Sequence, residues 1–167
     1  METSIINALE VVITIVLIYG ALLYWKRKLL RGYDIESSSI AYTVFISSQI
    51  LTILFMVLFS IDPQNSAYLE SLTLFSKGAD NLWTTMSIQL FGLTFLFILS
   101  NVVGHLLFKV SKNDHEDLYS ELSANKLSSS IVASVIIFAI GVVTSNFILK
   151  PFIYNWISEH VGIIPLN

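Results

Sequence analysis

Charged residues interrupt this chain at only a few places, and the gaps between them define its elements. No charge falls between Val11 and Trp25, and Ile5 extends that apolar run back past Glu10. Ser37–Ile61 is a run of 25 uncharged residues, Asn81–Phe108 one of 28 and Leu127–Leu149 one of 23. A helix needs about 20 residues to cross the hydrocarbon core of a bilayer. Backbone in lipid must pair its amides within the segment, so helices are the reading of such runs. The pattern predicts spans near residues 5–25, 39–61, 82–108 and 129–150. The third run exceeds the core thickness and is expected to tilt or protrude. Between the second and third spans, Asp62-Pro63 reads as an N-cap with proline in the first turn. Lys77-Gly78 reads as a helix end, and Tyr68, Leu72 and Phe75 share a face at helical spacing. A short interfacial helix over 63–77 is expected there.

Composition sharpens this picture. Of 167 residues 54% are hydrophobic and 13% charged, with a mean hydropathy of +0.74. Soluble domains carry about 25% charged residues, so the numbers exclude a compact soluble protein and a disordered one. The fold class expected is an all-α integral membrane protein, with residues 1–167 forming one four-helix transmembrane domain in contact with the lipid bilayer. A net charge of −3 offers no basic footprint for nucleic acid. The absence of cysteine removes disulfides, thiolate metal sites and a cysteine nucleophile. Met1-Glu2-Thr3-Ser4 has no positive n-region, so the first run reads as a span rather than a cleaved signal.

Orientation follows from the basic residues. Lys26, Arg27, Lys28 and Arg31 fall in the first loop, and Lys109, Lys112 and Lys126 in the third. Only Lys77 and Lys150 fall on the other side. The positive-inside rule puts both termini outside and loops one and three in the cytoplasm of an inner-membrane, multi-pass protein.

Two stretches repeat. Ser37-Ser38-Ser39-Ile40-Ala41 opens the second span and Ser128-Ser129-Ser130-Ile131-Val132 the fourth, 91 residues later. Each follows an apolar helix and a polar loop, so the chain reads as two parallel-repeat helical hairpins. The serines would cap free amides or, in a sharper reading, hold a phosphate or lipid headgroup at the two helix ends. In Asp34–Thr43 and Leu122–Ser134, including Asn125 ahead of Ser128, the layout resembles the YjfL-type four-helix membrane proteins, a family of unknown function. That resemblance implies an oligomeric inner-membrane protein without known catalysis and names no substrate.

Polar side chains inside a span normally face a partner or a cavity. Glu10, Gln89, Asn146 and Lys150 fall at similar depth toward the outside, with Gln49 near the middle of the second span. An ion pair between Glu10 and Lys150 with amides around it is one reading, a conducted-ion site another, snorkelling to the surface a third. Ser100 with Gly104, and Gly141 with Ser145, form small-xxx-small pairs for helix packing or an oligomer interface. His105 reads as an interfacial histidine or a pH-sensitive one. In the third loop Asn113-Asp114-His115-Glu116-Asp117 matches no metal-site spacing and reads as a solvated helix start. Leu118 and Leu122, with Tyr119 beside them, form a face that packs on the bundle or contacts a soluble cytoplasmic protein partner.

No phosphate-binding glycine loop, HExxH, GxSxG or nucleophile–base pair is present. No catalytic, cofactor or metal residues are assigned, and an enzyme is not expected. The function expected is a non-enzymatic membrane protein. It forms a homo-oligomer that anchors or signals to a cytoplasmic partner, by analogy in stress response or antiviral defence. A small ion channel or transporter subunit is the alternative.

Overall fold

In a computed structural model, residues 2–33, 35–36, 38–60, 80–111 and 117–161 are described, with side chains except at 2–10, 80–86 and 157–161. Every regular element among them is a helix. These are α1 (Glu2–Trp25), continued by a wide π-turn (Lys26–Arg31), α2 (Ile40–Ser60), α3 (Asp80–Ser111), the short α4 (Leu118–Ser123), α5 (Leu127–Thr144), a second π-segment (Ser145–Leu149) and α6 (Lys150–Val161). Three stretches, Ile40–Ser60, Ser87–Ser111 and Leu127–Trp156, are long and apolar enough to cross a membrane. The expected interfacial helix over 63–77 lies outside the described residues.

Three helices run further than the sequence reading. The first helix runs on through its π-turn, and α3 is longer at both ends than 82–108. The last helix passes Pro151 and continues to Val161. Proline lacks an N–H, and its ring clashes with the carbonyl four residues back. The chain meets this by widening the preceding turn, Ser145–Leu149, to i→i+5 geometry, so that the helix absorbs the proline without ending.

The interior mixes apolar side chains with small hydroxyl-bearing ones, and the outer face is large and apolar. Phe91 is 74% exposed and Phe147 72%, with Val110 and Val135 also outward. Such a surface is suited to lipid and would be a liability in water. The interior instead holds Ser100, Ser130, Ser145 and Thr52 beside Ile137, Phe45 and Met56. In lipid the apolar solvent is as good as a leucine, so close packing and hydrogen bonds hold helices together.

Helices α2 and α5 run parallel through the centre. Ser130 Oγ donates to the Ala41 carbonyl at 2.8 Å, Ser48 and Ser134 join by their hydroxyls at 2.7 Å, and Ser145 Oγ donates to the Met56 carbonyl at 2.6 Å. Both members of these pairs rise in number together, as parallel helices require. Helix α3 runs antiparallel to α5. Gly104 lies against Ile137, and Gly92 against Leu149. Gln89 Nε2 reaches Ser60 Oγ at 3.3 Å where α3 passes the end of α2.

The repeated helix starts are tied together. Ser39 Oγ accepts the Tyr42 amide at 3.1 Å, a local N-cap. Asn125 adopts φ 53°, the left-handed conformation that asparagine tolerates. Its Oδ1 accepts the Ala41 amide at 3.0 Å, so the loop before α5 caps the start of α2. At the start of α5, Ser129 bonds to the buried carboxylate of Glu121, which also pairs with Lys126. A carboxylate beside a helix N-terminus is favoured by the helix dipole. The phosphate reading of the serines is therefore corrected for this end: the chain's own carboxylate takes that place.

Candidate functional site

A cavity of about 650 Å³ lies between α1 and α3. Its wall on α1 follows Leu17, Ala21, Tyr24 and Lys28, and on α3 Leu90, Thr94, Phe97, Asn101 and His105. These are stripes of three- and four-residue steps, one face of each helix. At 1.5 Å rise per residue, the α1 stripe from Val16 to Lys28 runs about 18 Å, a little more than one leaflet of a ~30 Å hydrocarbon core. Both stripes advance in number toward the same end, so α1 and α3 run parallel here. The low-numbered end is apolar and the high-numbered end polar. Gly20 keeps the wall open: a Cβ built on it meets nothing within 4 Å.

Tyr119 of α4 organises the polar end. Its hydroxyl accepts from Lys28 Nζ at 2.8 Å, and the same ammonium reaches the Tyr24 hydroxyl at 3.3 Å. The ammonium also lies 4.5 Å from the Tyr119 ring centroid and 5.5 Å from that of Trp25, within cation–π range. His105 stacks on the other ring contact of Tyr119, centroids 5.0 Å apart and planes within 18°. Its Nε2 meets Asp117 Oδ1 at 3.1 Å.

Three polar atoms around this end are buried without a hydrogen-bond partner among the described residues: Trp25 Nε1, Asn101 Oδ1 and His105 Nδ1. Each belongs to a residue lining the cavity. An unsatisfied buried polar atom costs roughly 1–3 kcal/mol, so these three are a local cost to the packing of α1 against α3.

Burial pulls the Lys28 ammonium down, but its hydrogen bonds and charge interactions with Tyr119 and Tyr24 outweigh it and leave the pKa above the ordinary 10.5. Burial lifts the Tyr119 hydroxyl above its ordinary 10.0, with Lys28 pulling the other way. Both groups hold their protons more tightly folded than unfolded. Their contribution is therefore full below the unfolded values and is lost as pH rises through the folded ones. Thermal midpoints in nanodiscs are expected to fall as pH is taken above about 10, and Lys28→Met to show a shallower alkaline fall. Equal slopes in the two proteins would remove Lys28 from the account.

The residues expected from sequence are dispersed differently. Leu118, Tyr119 and Leu122 are buried, because α4 folds its apolar face onto the bundle. The reading of that face as a contact for a soluble partner is corrected accordingly. Ser100, Gly104, Gly141 and Ser145 are also interior, and the two glycines and Ser145 serve packing within one subunit. Gln89 bonds to Ser60. Gln49 is 1% exposed, with neither amide atom partnered among the described residues. Asn146 is half-buried, and Lys150 lies 6.0 Å from the Tyr154 ring. The Glu10 side chain lies outside the described residues, and so does the proposed ion pair. Sequence reasoning did not find the cavity or the role of Tyr119, although the 91-residue offset of the serine repeat also carries Lys28 onto Tyr119.

No family model, curated protein or solved structure matches this chain.

Proposed function

We propose that this chain is a non-enzymatic, multi-pass inner-membrane protein that takes an amphiphile from the surrounding bilayer into the groove between α1 and α3. The observation that carries this reading is the cavity itself: an apolar trough of about one leaflet's depth, with Lys28, Tyr119 and His105 in its lining at one end. Binding sites of this size are mostly apolar with a few convergent polar groups. In this reading α1 is the fourth span, and α1–α2 and α3–α5 are two parallel-repeat hairpins of the YjfL-type layout. The Lys28 end lies in the cytoplasmic leaflet, where the positive-inside rule puts it. Homo-oligomerisation and a soluble partner remain part of the proposal. The partner would meet the exposed side of α4, Ser120 and Ser123, rather than its buried face.

A photoactivatable palmitoyl probe in nanodiscs tests it. Labelling is expected on peptides carrying Gly20 and Phe97, and to drop several-fold in Gly20→Phe, whose ring fills the trough. Gly32→Phe is the control, since a Cβ there also meets nothing within 4 Å and Gly32 does not line the cavity. Labelling spread evenly over the outer faces of all helices, and unchanged by Gly20→Phe, would overturn the reading.

A further inference from the structure

Two cavities meet on α1. Besides the trough against α3, a second of about 470 Å³ is lined by Gly20, Leu23, Tyr24, Arg27 and Lys28. Gly20, Tyr24 and Lys28 line both. They follow one another at four-residue steps, so they form one ridge along the helix. Leu17, Ala21 and Trp25 make the flank on the trough side, and Leu23 and Arg27 the flank on the other. The ridge is lowest at Gly20, where a built Cβ meets nothing within 4 Å. It carries a phenol at Tyr24 and an ammonium at Lys28. From this layout we infer that the amphiphile is a two-chain anionic phospholipid seated astride the ridge, with its phosphate on Lys28 and Arg27 and one acyl chain on each flank. This rests on the amphiphile reading above and adds the ligand class.

The sign of the head group follows from charge. Lys28 lines both cavities and Arg27 the second, and neither lining includes Asp or Glu. Among the described residues no carboxylate pairs with either cation. Asp117 meets His105 instead and lines neither cavity. The Lys28 ammonium is held in place without being neutralised. The phenols of Tyr119 and Tyr24 accept two of its three N–H groups, and the Tyr119 ring centroid lies 4.5 Å away. Its third N–H and the Arg27 guanidinium are donors on adjoining stripes of one helix. Cations at membrane depth seek a counter-charge, and a phosphate accepts from both in charge-assisted hydrogen bonds. A zwitterionic head group would bring its own cation into the Lys26-Arg27-Lys28 cluster, where like charges repel. A fatty acid or a lysophospholipid has one chain and covers one flank of the ridge. Two chains joined above the ridge cover both.

The test uses the full chain in phosphatidylcholine nanodiscs and native mass spectrometry of the lipids it retains. It is run in about 0.5 M ammonium acetate, where diffuse charge attraction is screened within roughly 5 Å. The probes, doped at equal mole fraction, are phosphatidylglycerol, deuterated phosphatidylcholine, lysophosphatidylglycerol and palmitate. Phosphatidylglycerol is expected to be retained about tenfold over deuterated phosphatidylcholine, from two cations near one phosphate, and also above both single-chain probes. Arg27→Gln is expected to cut that preference about threefold, and Lys28→Gln with Arg27→Gln to bring it near one. The double variant Lys26→Gln, Arg31→Gln removes the same charge outside both cavities and is expected to keep most of the preference. Equal retention of phosphatidylglycerol and phosphatidylcholine by the wild-type chain would overturn the anionic assignment. Retention of lysophosphatidylglycerol or palmitate as strong as that of phosphatidylglycerol would overturn the two-chain seat. A loss in the Lys26, Arg31 variant as large as in the Lys28, Arg27 variant would overturn the site. With retention still lowered by Gly20→Phe, each of those outcomes leaves the amphiphile reading standing. No probe retained above its bulk proportion, with Gly20→Phe indistinguishable from wild type, would overturn the amphiphile reading as well. The wild-type comparison needs no variant and Arg27 is exposed, so a folding defect in Lys28→Gln leaves the test intact.

Discussion

Gly104→Leu is expected to destabilise the bundle by about 3 kcal/mol, the upper part of the range for overpacking an interior. A Cβ on Gly104 would sit 2.4 Å from Ile137 Cγ1 and 3.5 Å from its Cα. Ile137 is buried and branched at Cβ, so it has little rotamer freedom with which to retreat. The leucine must therefore push α3 away from α5. In water, exposed apolar surface would oppose that separation. In lipid it is refilled by acyl chains, and only packing and hydrogen bonds resist it. Gly141→Leu is expected to act similarly between α5 and α2, where a Cβ would meet Thr52 Cγ2 at 2.8 Å and Met56 Sδ at 3.0 Å. Gly20→Leu and Gly32→Leu give the baseline, since nothing lies within 4 Å of either position. The measurement is the fraction of dodecyl sulfate that unfolds each variant in mixed micelles. Should Gly104→Leu unfold at the same fraction as Gly32→Leu, the contact between α3 and α5 is not as described.

How far the sequence reached depends on which physical signal each feature leaves. Charge gaps mark lipid-compatible helices because a charged side chain in hydrocarbon is costly. The runs beginning at Ser37, Asn81 and Leu127 accordingly match α2, α3 and α5. Small-residue spacing located close helix approaches, and Gly104 and Gly141 are such places. It carried no information on which helix approaches. For Gly141 that is set by the parallel run of α2 against α5, between positions about 90 apart, and for Gly104 by the antiparallel run of α3 against α5.

The helix ends went further than the charges implied, because Lys26 and Lys150 lie where helical backbone continues even though the apolar run stops. Pro151 illustrates a second limit. Proline ordinarily ends or kinks a helix, yet this one widens one turn ahead of it at Ser145–Leu149 and proceeds. The face of α4 shows a third. Leu118 and Leu122 signal burial, but a short amphipathic helix looks the same whether it buries against its own chain or another. The groove was legible least of all. Its walls are ordinary lipid-facing residues such as Val16 and Ile98, and only the convergence of Trp25, Lys28, Asn101, His105 and Tyr119 at one end sets it apart.

Gln49→Met is expected to stabilise the chain by about 1–2 kcal/mol, opposite in sign to most interior substitutions. The Gln49 side chain is 1% exposed, and neither Nε2 nor Oε1 has a partner among the described residues. Its neighbours along α2 have spent their hydrogen bonds locally. Ser48 donates to the Phe45 carbonyl at 2.7 Å, and Thr52 to the Ser48 carbonyl at 2.8 Å. An amide in that position carries its desolvation cost in full. Methionine has similar length and flexibility and no polar atom to satisfy, so the substitution removes the cost and retains the packing. A buried amide that weakens its own fold is usually kept for another reason. The second readout is therefore lipid labelling of the groove, measured on the same preparation. A stabilised variant with unchanged labelling would make Gln49 neutral to the groove. A stabilised variant with lost labelling would tie the buried amide of α2 to occupancy between α1 and α3, through Phe45 of α2, whose ring lies 5.1 Å from that of Trp25. A destabilised variant would mean that the amide is satisfied in the membrane by a group from outside the chain, and the count of unpaired atoms in the α2 interior would have to be redrawn.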